Sequence, residues 1–214
     1  MELLDRIDRQ DEAFNITTLA LKVAKQALKQ DPENMLWRRD AYHLQVYMLA
    51  LKTDTSYSDI KRELVDLESE IKQDNILTEL SRQELSGLLY LAASRQLEKN
   101  GNYSAASAYV TQSIAVFEKL HEKSPKKVSY LINVSDGEIL KASLLKASNP
   151  TDIMVSEYCQ KVATRLSSFI EKDKRPGFVM PYLKSLDCLD DPKTARQLFA
   201  ELKARGYPKL DGYQ

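Results

Sequence analysis

Two histidines, two cysteines and a scatter of carboxylates are the residues with which this chain could do chemistry. His43 and His121 each stand alone, and a metal site needs clustered His, Cys or carboxylate ligands. Both read as partly exposed helix residues. No His-Glu-x-x-His pair, Gly-x-Ser-x-Gly elbow or glycine-rich phosphate loop occurs. Glu68 and Glu70 lie two apart, so a helix points them to different faces and they form no acid–base dyad. Cys159 and Cys188 have no Cys-x-x-Cys spacing and no nearby histidine. They read first as two small buried hydrophobes. The alternative is a disulfide, which would imply an oxidising compartment. The expectation is a chain that is not an enzyme and needs no metal and no cofactor.

Composition narrows the partners. The 214 residues include 43% hydrophobic and 29% charged, enough apolar material for a sizeable core. Lys plus Arg and Asp plus Glu are 31 each. A neutral chain lacks the basic excess of a nucleic-acid binder or a polybasic membrane-surface protein. The start, MELLDRIDRQDE, has no apolar core and is no signal peptide. No apolar run approaches the roughly 20 residues of a membrane span. Cytoplasmic residence is favoured, with the periplasm as the alternative if a membrane anchor precedes this chain. The length suits one domain, 1–214, read as a piece of a larger protein.

The elements that would position any site are helical throughout. Ile16, Leu19, Ala20, Val23, Ala24, Ala27 and Leu28 recur at three- and four-residue steps and predict a helix over 14–30. Asp31 precedes Pro32 and ends it. Trp37, Ala41, Leu44, Met48 and Leu51 predict a second helix over 35–52, with Trp37 in the core. Ser58 or Asp59 is expected to cap a third helix, with Ile60, Leu64, Leu67 and Ile71 as a narrow apolar stripe. Its charges include Asp59, Glu63, Asp66, Glu68, Glu70 and Asp74, a solvated face or an acidic docking surface. The next helix runs to about Lys99, and Gly87 within it suggests close helix–helix approach, since glycine there costs about 1 kcal/mol. Further helices are expected to about Lys123, to about Ala147 with Gly137 inside, over 153–171, over 178–189, and from Asp190-Asp191-Pro192 to a Gly206 cap. Lys172–Gly177 reads as an exposed turn and Tyr207–Gln214 as a tail. That makes about nine helices and no strand.

Internal similarity points to a repeat. AKQALKQDPENMLWRRD from Ala24 and FEKLHEKSPKKVSYLIN from Phe117 both read helix, proline, polar turn, aromatic, helix. Pro32 matches Pro125 and Trp37 matches Tyr130, an offset of 93 residues. The pattern resembles the tetratricopeptide repeat, a helix–turn–helix unit of about 34 residues. Tyr90, Ala93, Ser94 and Leu97 fall where that family places one motif, and Gly101, Tyr103, Ala106 and Val110 on its turn and second helix. Pro125 comes about two turns later than the family pattern, so the helices are longer than standard. Leu28, Asp31, Pro32, Asn34 and Trp37 to Asp40, with the ending Ala195 to Tyr207, look similar to the repeat regions of bacterial signalling proteins. In those proteins the repeats follow a Ser/Thr kinase or winged-helix domain.

The resemblance implies an all-α fold of antiparallel helical hairpins stacked in a right-handed superhelix. Such stacks bury a continuous core and offer a groove to a protein or peptide. Arg39 and His43, four apart on one helix, are candidate partner-binding residues, as are Arg95, Glu98 and Asp136 by analogous placement. The expected function is a non-catalytic protein- or peptide-binding scaffold module of a bacterial regulator. The alternative is a sensory module that holds a small molecule and signals to an attached effector. The eleven tyrosines read mostly as core or rim residues, and a few gathered on a groove would form a recognition surface. A homo-oligomer, through exposed faces of terminal helices, also fits.

Overall fold

A computed structural model describes residues 10–52, 55–170 and 176–204. Among them are nine helices and no strand: α1 (Gln10–Gln30), α2 (Met35–Leu51), α3 (Tyr57–Gln73), α4 (Glu79–Lys99), α5 (Tyr103–Lys123), α6 (Val128–Ser148), α7 (Ile153–Ile170), α8 (Pro176–Cys188) and α9 (Pro192–Ala204). The fold is all-α, as the periodicity indicates. Residues 1–9, 53–54, 172–175 of the expected turn, Gly206 and the 207–214 tail lie outside the described residues.

Local chemistry sets the helix bounds. The Asn34 side chain accepts the Trp37 amide at 3.1 Å and caps α2. Ser56, not Ser58 or Asp59, caps α3, because the helix begins one residue later at Tyr57 and places the Asp59 amide over the Ser56 hydroxyl at 3.2 Å. Thr78 caps α4 in the same way. Gly101, at φ +72°, takes the left-handed position that ends α4, with the Asn102 amide bonded to the Leu97 carbonyl at 2.8 Å. Gly177 lies inside α8, not in a turn, since Pro176 opens that helix. Asp191 caps α9 through the Thr194 amide.

Packing gathers the chain into two compact units, Met1–Asn133 and Val134–Gln214, the division falling within α6. In the first unit α1 packs on α2, while α2, α3 and α5 all pack on α4. Its core joins Val46 and Leu49 of α2, Leu64, Leu67 and Ile71 of α3, and Leu85, Leu89 and Ala93 of α4. The most extensive contact is α4 with α5. Small residues permit it: a Cβ on Gly87 would stand 2.9 Å from the Phe117 ring. The Ser113 hydroxyl bonds the Gly87 carbonyl, and Ser94 bonds the Ala106 carbonyl, each at 2.8 Å. Gln96, fully buried, donates to the Ala50 and Lys52 carbonyls and satisfies the end of α2.

In the second unit α7 packs on α8, and α8 on α9. Val155, Cys159, Val162 and Leu166 form the buried stripe of α7. Phe169 stacks on Phe178 at 5.3 Å. The two cysteines are not separate small hydrophobes. Cys159 and Cys188 are joined in a disulfide that ties the middle of α7 to the end of α8, their Cα atoms 6.2 Å apart.

Two core assignments change. Trp37 is 38% exposed. It sits in the first turn of α2, where Ala41, Val46, Leu49, Ala50 and Leu51 provide the buried side. On α1 the buried residues are Ala13 and Thr17, while Ile16, Leu19 and Val23 are exposed. The apolar arc of α1 is wide enough for two neighbours, and α2 takes one edge of it.

The helix spacing sharpens the repeat. Met35, Glu79, Val128 and Pro176 open alternate helices, a recurrence of roughly 45–50 residues, against about 34 in the tetratricopeptide unit. The Pro32–Pro125 offset is the distance from the start of α2 to the start of α6, two hairpins on.

Candidate functional site

Arg39 and His43 share α2, and the charges that act on His43 are Arg39, Asp40, Glu84 of α4 and Lys127, just before α6. The Lys127 ammonium lies 2.9 Å from Glu84 Oε2, donates to the Tyr130 hydroxyl at 2.9 Å and stands 4.4 Å over the Tyr130 ring. Burial works against the Lys127 charge, and the bonds to Tyr130 and Glu84 outweigh it, so its pKa is raised. His43 has its pKa lowered, chiefly by burial, with Glu84 opposing and Arg39 adding to the depression. Arg39 reaches Asp40 at 3.4 Å, and its Nε is buried without a hydrogen-bond partner among the described residues. Glu84 is already claimed by the Lys127 ammonium, and the His43 imidazole has its pKa lowered chiefly by burial. That arrangement suits recognition better than proton transfer.

The other candidates are not among these groups. Arg95 and Glu98 are half-buried in the last turns of α4, each with an interaction of its own. Asp136 is half-buried in α6, in the second unit, and is likewise engaged. Two residues along, Glu138 is fully buried and neutralised by Arg165, which grips both its oxygens, and by Lys161 at 2.6 Å. Sequence reasoning missed Glu138, although a carboxylate amid Val134, Gly137, Ile139 and Leu140 signals a buried partner. It also missed Glu84 and Lys127, which no local spacing connects.

A groove of about 650 Å³ opens between α2 and α3. Gln45 and Lys52 line one side; Asp59, Glu63, Asp66 and Glu70 form a row along the other, with Arg62 beside them and Leu67 at the base. The acids are four and three residues apart, which places them on one helix face. Lys52 pairs with Glu63, and Arg62 with Asp59 at 2.6 Å. Asp66 and Glu70 are exposed. The Ser56 hydroxyl and the Arg62 charge hold the Asp59 carboxyl below its usual pKa.

The remaining acids of α3 and its C-cap serve packing. Asp74 accepts from Arg38 at 3.0 Å, Tyr42 at 3.1 Å and the Ile76 amide at 3.0 Å. Burial raises its pKa, but those bonds prevail and the net shift is downward. Tyr42 is pushed up to about 12 by burial and by Asp74. Glu68 accepts from Tyr90 and Lys72, and Tyr90 stacks on Tyr109 at 6.1 Å. These tyrosines thus belong to helix contacts, as tyrosine's bulk and polar end allow.

No helix among the described residues is long and apolar enough to cross a membrane. No protein-family model, curated protein or solved structure matches the chain.

Proposed function

We propose that the chain is a tetratricopeptide-like, non-catalytic module of a bacterial regulatory protein, and that it binds a basic segment of a partner protein between α2 and α3. The reading rests on the groove. Its acid row outnumbers its cations, and Asp66 and Glu70 stand exposed at one end. An open, charged channel suits a peptide, where a small molecule calls for an enclosed and mostly apolar pocket.

Selection from a displayed library of random 12-residue peptides tests this. Lys- and Arg-rich sequences are expected to emerge. Titration calorimetry of the synthetic peptides should show affinity falling as salt rises and at least about tenfold weaker binding to Asp66→Lys/Glu70→Lys. Selected peptides without basic residues, or binding indifferent to that double substitution, would overturn the reading. A small anionic or apolar metabolite that raises the melting temperature when the peptides do not would favour the sensory alternative.

A further inference from the structure

The acid row of the α2–α3 groove has its match on the same chain. α1 carries Lys22, Lys25 and Lys29, all exposed, and residues 13–30 contain no acid. At 100° per residue the three lysines share one face, within about 60° of each other and turned away from Ala13 and Thr17, the buried side of the helix. Like charges three and four apart repel, and α1 has none of the acids that relieve such a row on an ordinary solvated helix. Glu63, Asp66 and Glu70 have the same spacing and the opposite sign. The groove's own cations, Lys52 and Arg62, pair with Glu63 and Asp59. The Asp66–Glu70 end is left uncompensated, and beyond Lys52 the α2 side of the groove supplies the neutral Gln45. We propose that the basic segment this groove takes is α1 of a second copy, which rests on the reading of the groove given above.

Geometry selects an antiparallel pair. At 1.5 Å per residue, Lys25 and Lys29 stand about 4.5 and 10.5 Å along the axis from Lys22, while Asp66 and Glu63 stand about 6 and 10.5 Å from Glu70. Run antiparallel, Lys22 meets Glu70, Lys25 meets Asp66, and Lys29 reaches Glu63, which it shares with Lys52. The flanks agree as well. Lys25 and Asp66 lie to one side of their rows, and the other four residues lie to the other side. A parallel pair keeps the axial match but puts the partners on opposite flanks, and it lays the two helix dipoles side by side unfavourably. Each copy thus gives its α1 and receives at its α3, a head-to-tail contact between two different faces of the first unit. Exposed ion pairs each contribute little, so the association is weak and sensitive to salt.

Zero-length carbodiimide crosslinking of the whole chain, with half of the sample isotope-labelled, tests the contact. Lys22–Glu70 and Lys25–Asp66 links joining a labelled to an unlabelled copy are expected in low salt and should vanish at about 0.5 M NaCl. Sedimentation equilibrium up to about 1 mM should show mass rising with concentration in low salt. Lys22→Glu/Lys25→Glu and Asp66→Lys/Glu70→Lys should each stay monomeric. Mixing the two should restore association, because each then meets opposite charge on both faces. The wild-type crosslinks test the proposal even if a variant fails to fold. Absence of those links between copies, a mass that does not rise, or a mixture that stays monomeric would overturn it. Basic peptides that bind the groove while the copies remain monomeric would sink this proposal and leave the groove reading standing. Failure of both peptides and copies to bind would sink both.

Discussion

Burial disfavours the charged form of His43, and that has a consequence for stability. Burial, the largest influence, lowers its pKa from 6.5, and Glu84 only partly opposes it. The unfolded chain therefore takes up a proton more readily than the folded one as pH falls through 6.5. His43 contributes stability above that pH and loses it as pH drops toward the depressed folded value. Thermal melts at pH 8, 7, 6 and 5 should show wild type losing more stability below pH 6.5 than His43→Gln does. An identical slope in the two proteins sinks the idea. The residues around His43 also mark the limit of sequence reading. Arg39 and His43 were legible because they share a helix four residues apart. Glu84 and Lys127, whose charges act on His43, come from α4 and from just before α6, so no local spacing in the sequence connects them to it. Asp74 shows the converse. By sequence it belongs to an acidic face, yet it turns inward to Arg38 and Tyr42.

At the scale of elements, helical periodicity reaches far, because the spacing of apolar side chains and the caps are local. All four stripe residues expected on α3 are buried, and helix ends fall within a few residues of the sequence reading. Periodicity cannot say which part of a wide apolar arc meets the neighbour. On α1 it therefore misplaced Ile16, Leu19 and Val23. Gly87 is the opposite case, where one residue type foretold a contact. Alanine there would gain about 1 kcal/mol of helix propensity. Its Cβ would meet the fully buried Phe117 ring at 2.9 Å and Val116 at 3.0 Å, a crowding that costs about 1–3 kcal/mol. We expect Gly87→Ala to destabilise the protein by up to about 2 kcal/mol in urea unfolding, and Gly87→Ala/Phe117→Leu to recover part of that loss. A stabilised Gly87→Ala would show that α4 and α5 approach less closely than this geometry requires.

On the scale of the whole molecule, the first unit draws its cohesion from α4, on which α2, α3 and α5 pack, and the second includes a covalent tie. That tie was open in the sequence, because a separation of 29 residues brings two cysteines together only if α7 and α8 pack in register. Disulfides persist in oxidising compartments and are removed in reducing ones, so the redox state around the protein decides whether this tie is present. Their stabilising effect grows with the length of the loop closed, and for a loop of this size chain entropy amounts to about 3–4 kcal/mol. Reduction should therefore fall on the second unit. Cys159 is fully buried, so reductant acts only after local opening and reduction of the native protein should be slow. Once reduced and alkylated, the chain should melt at a lower temperature. Hydrogen exchange should quicken in α7 and α8, while amides of α4 and α5 keep their protection. Equal melting temperatures before and after reduction would mean that packing of α7 on α8 suffices without the bridge. Quickened exchange in α4 and α5 as well would mean that the two units unfold as one.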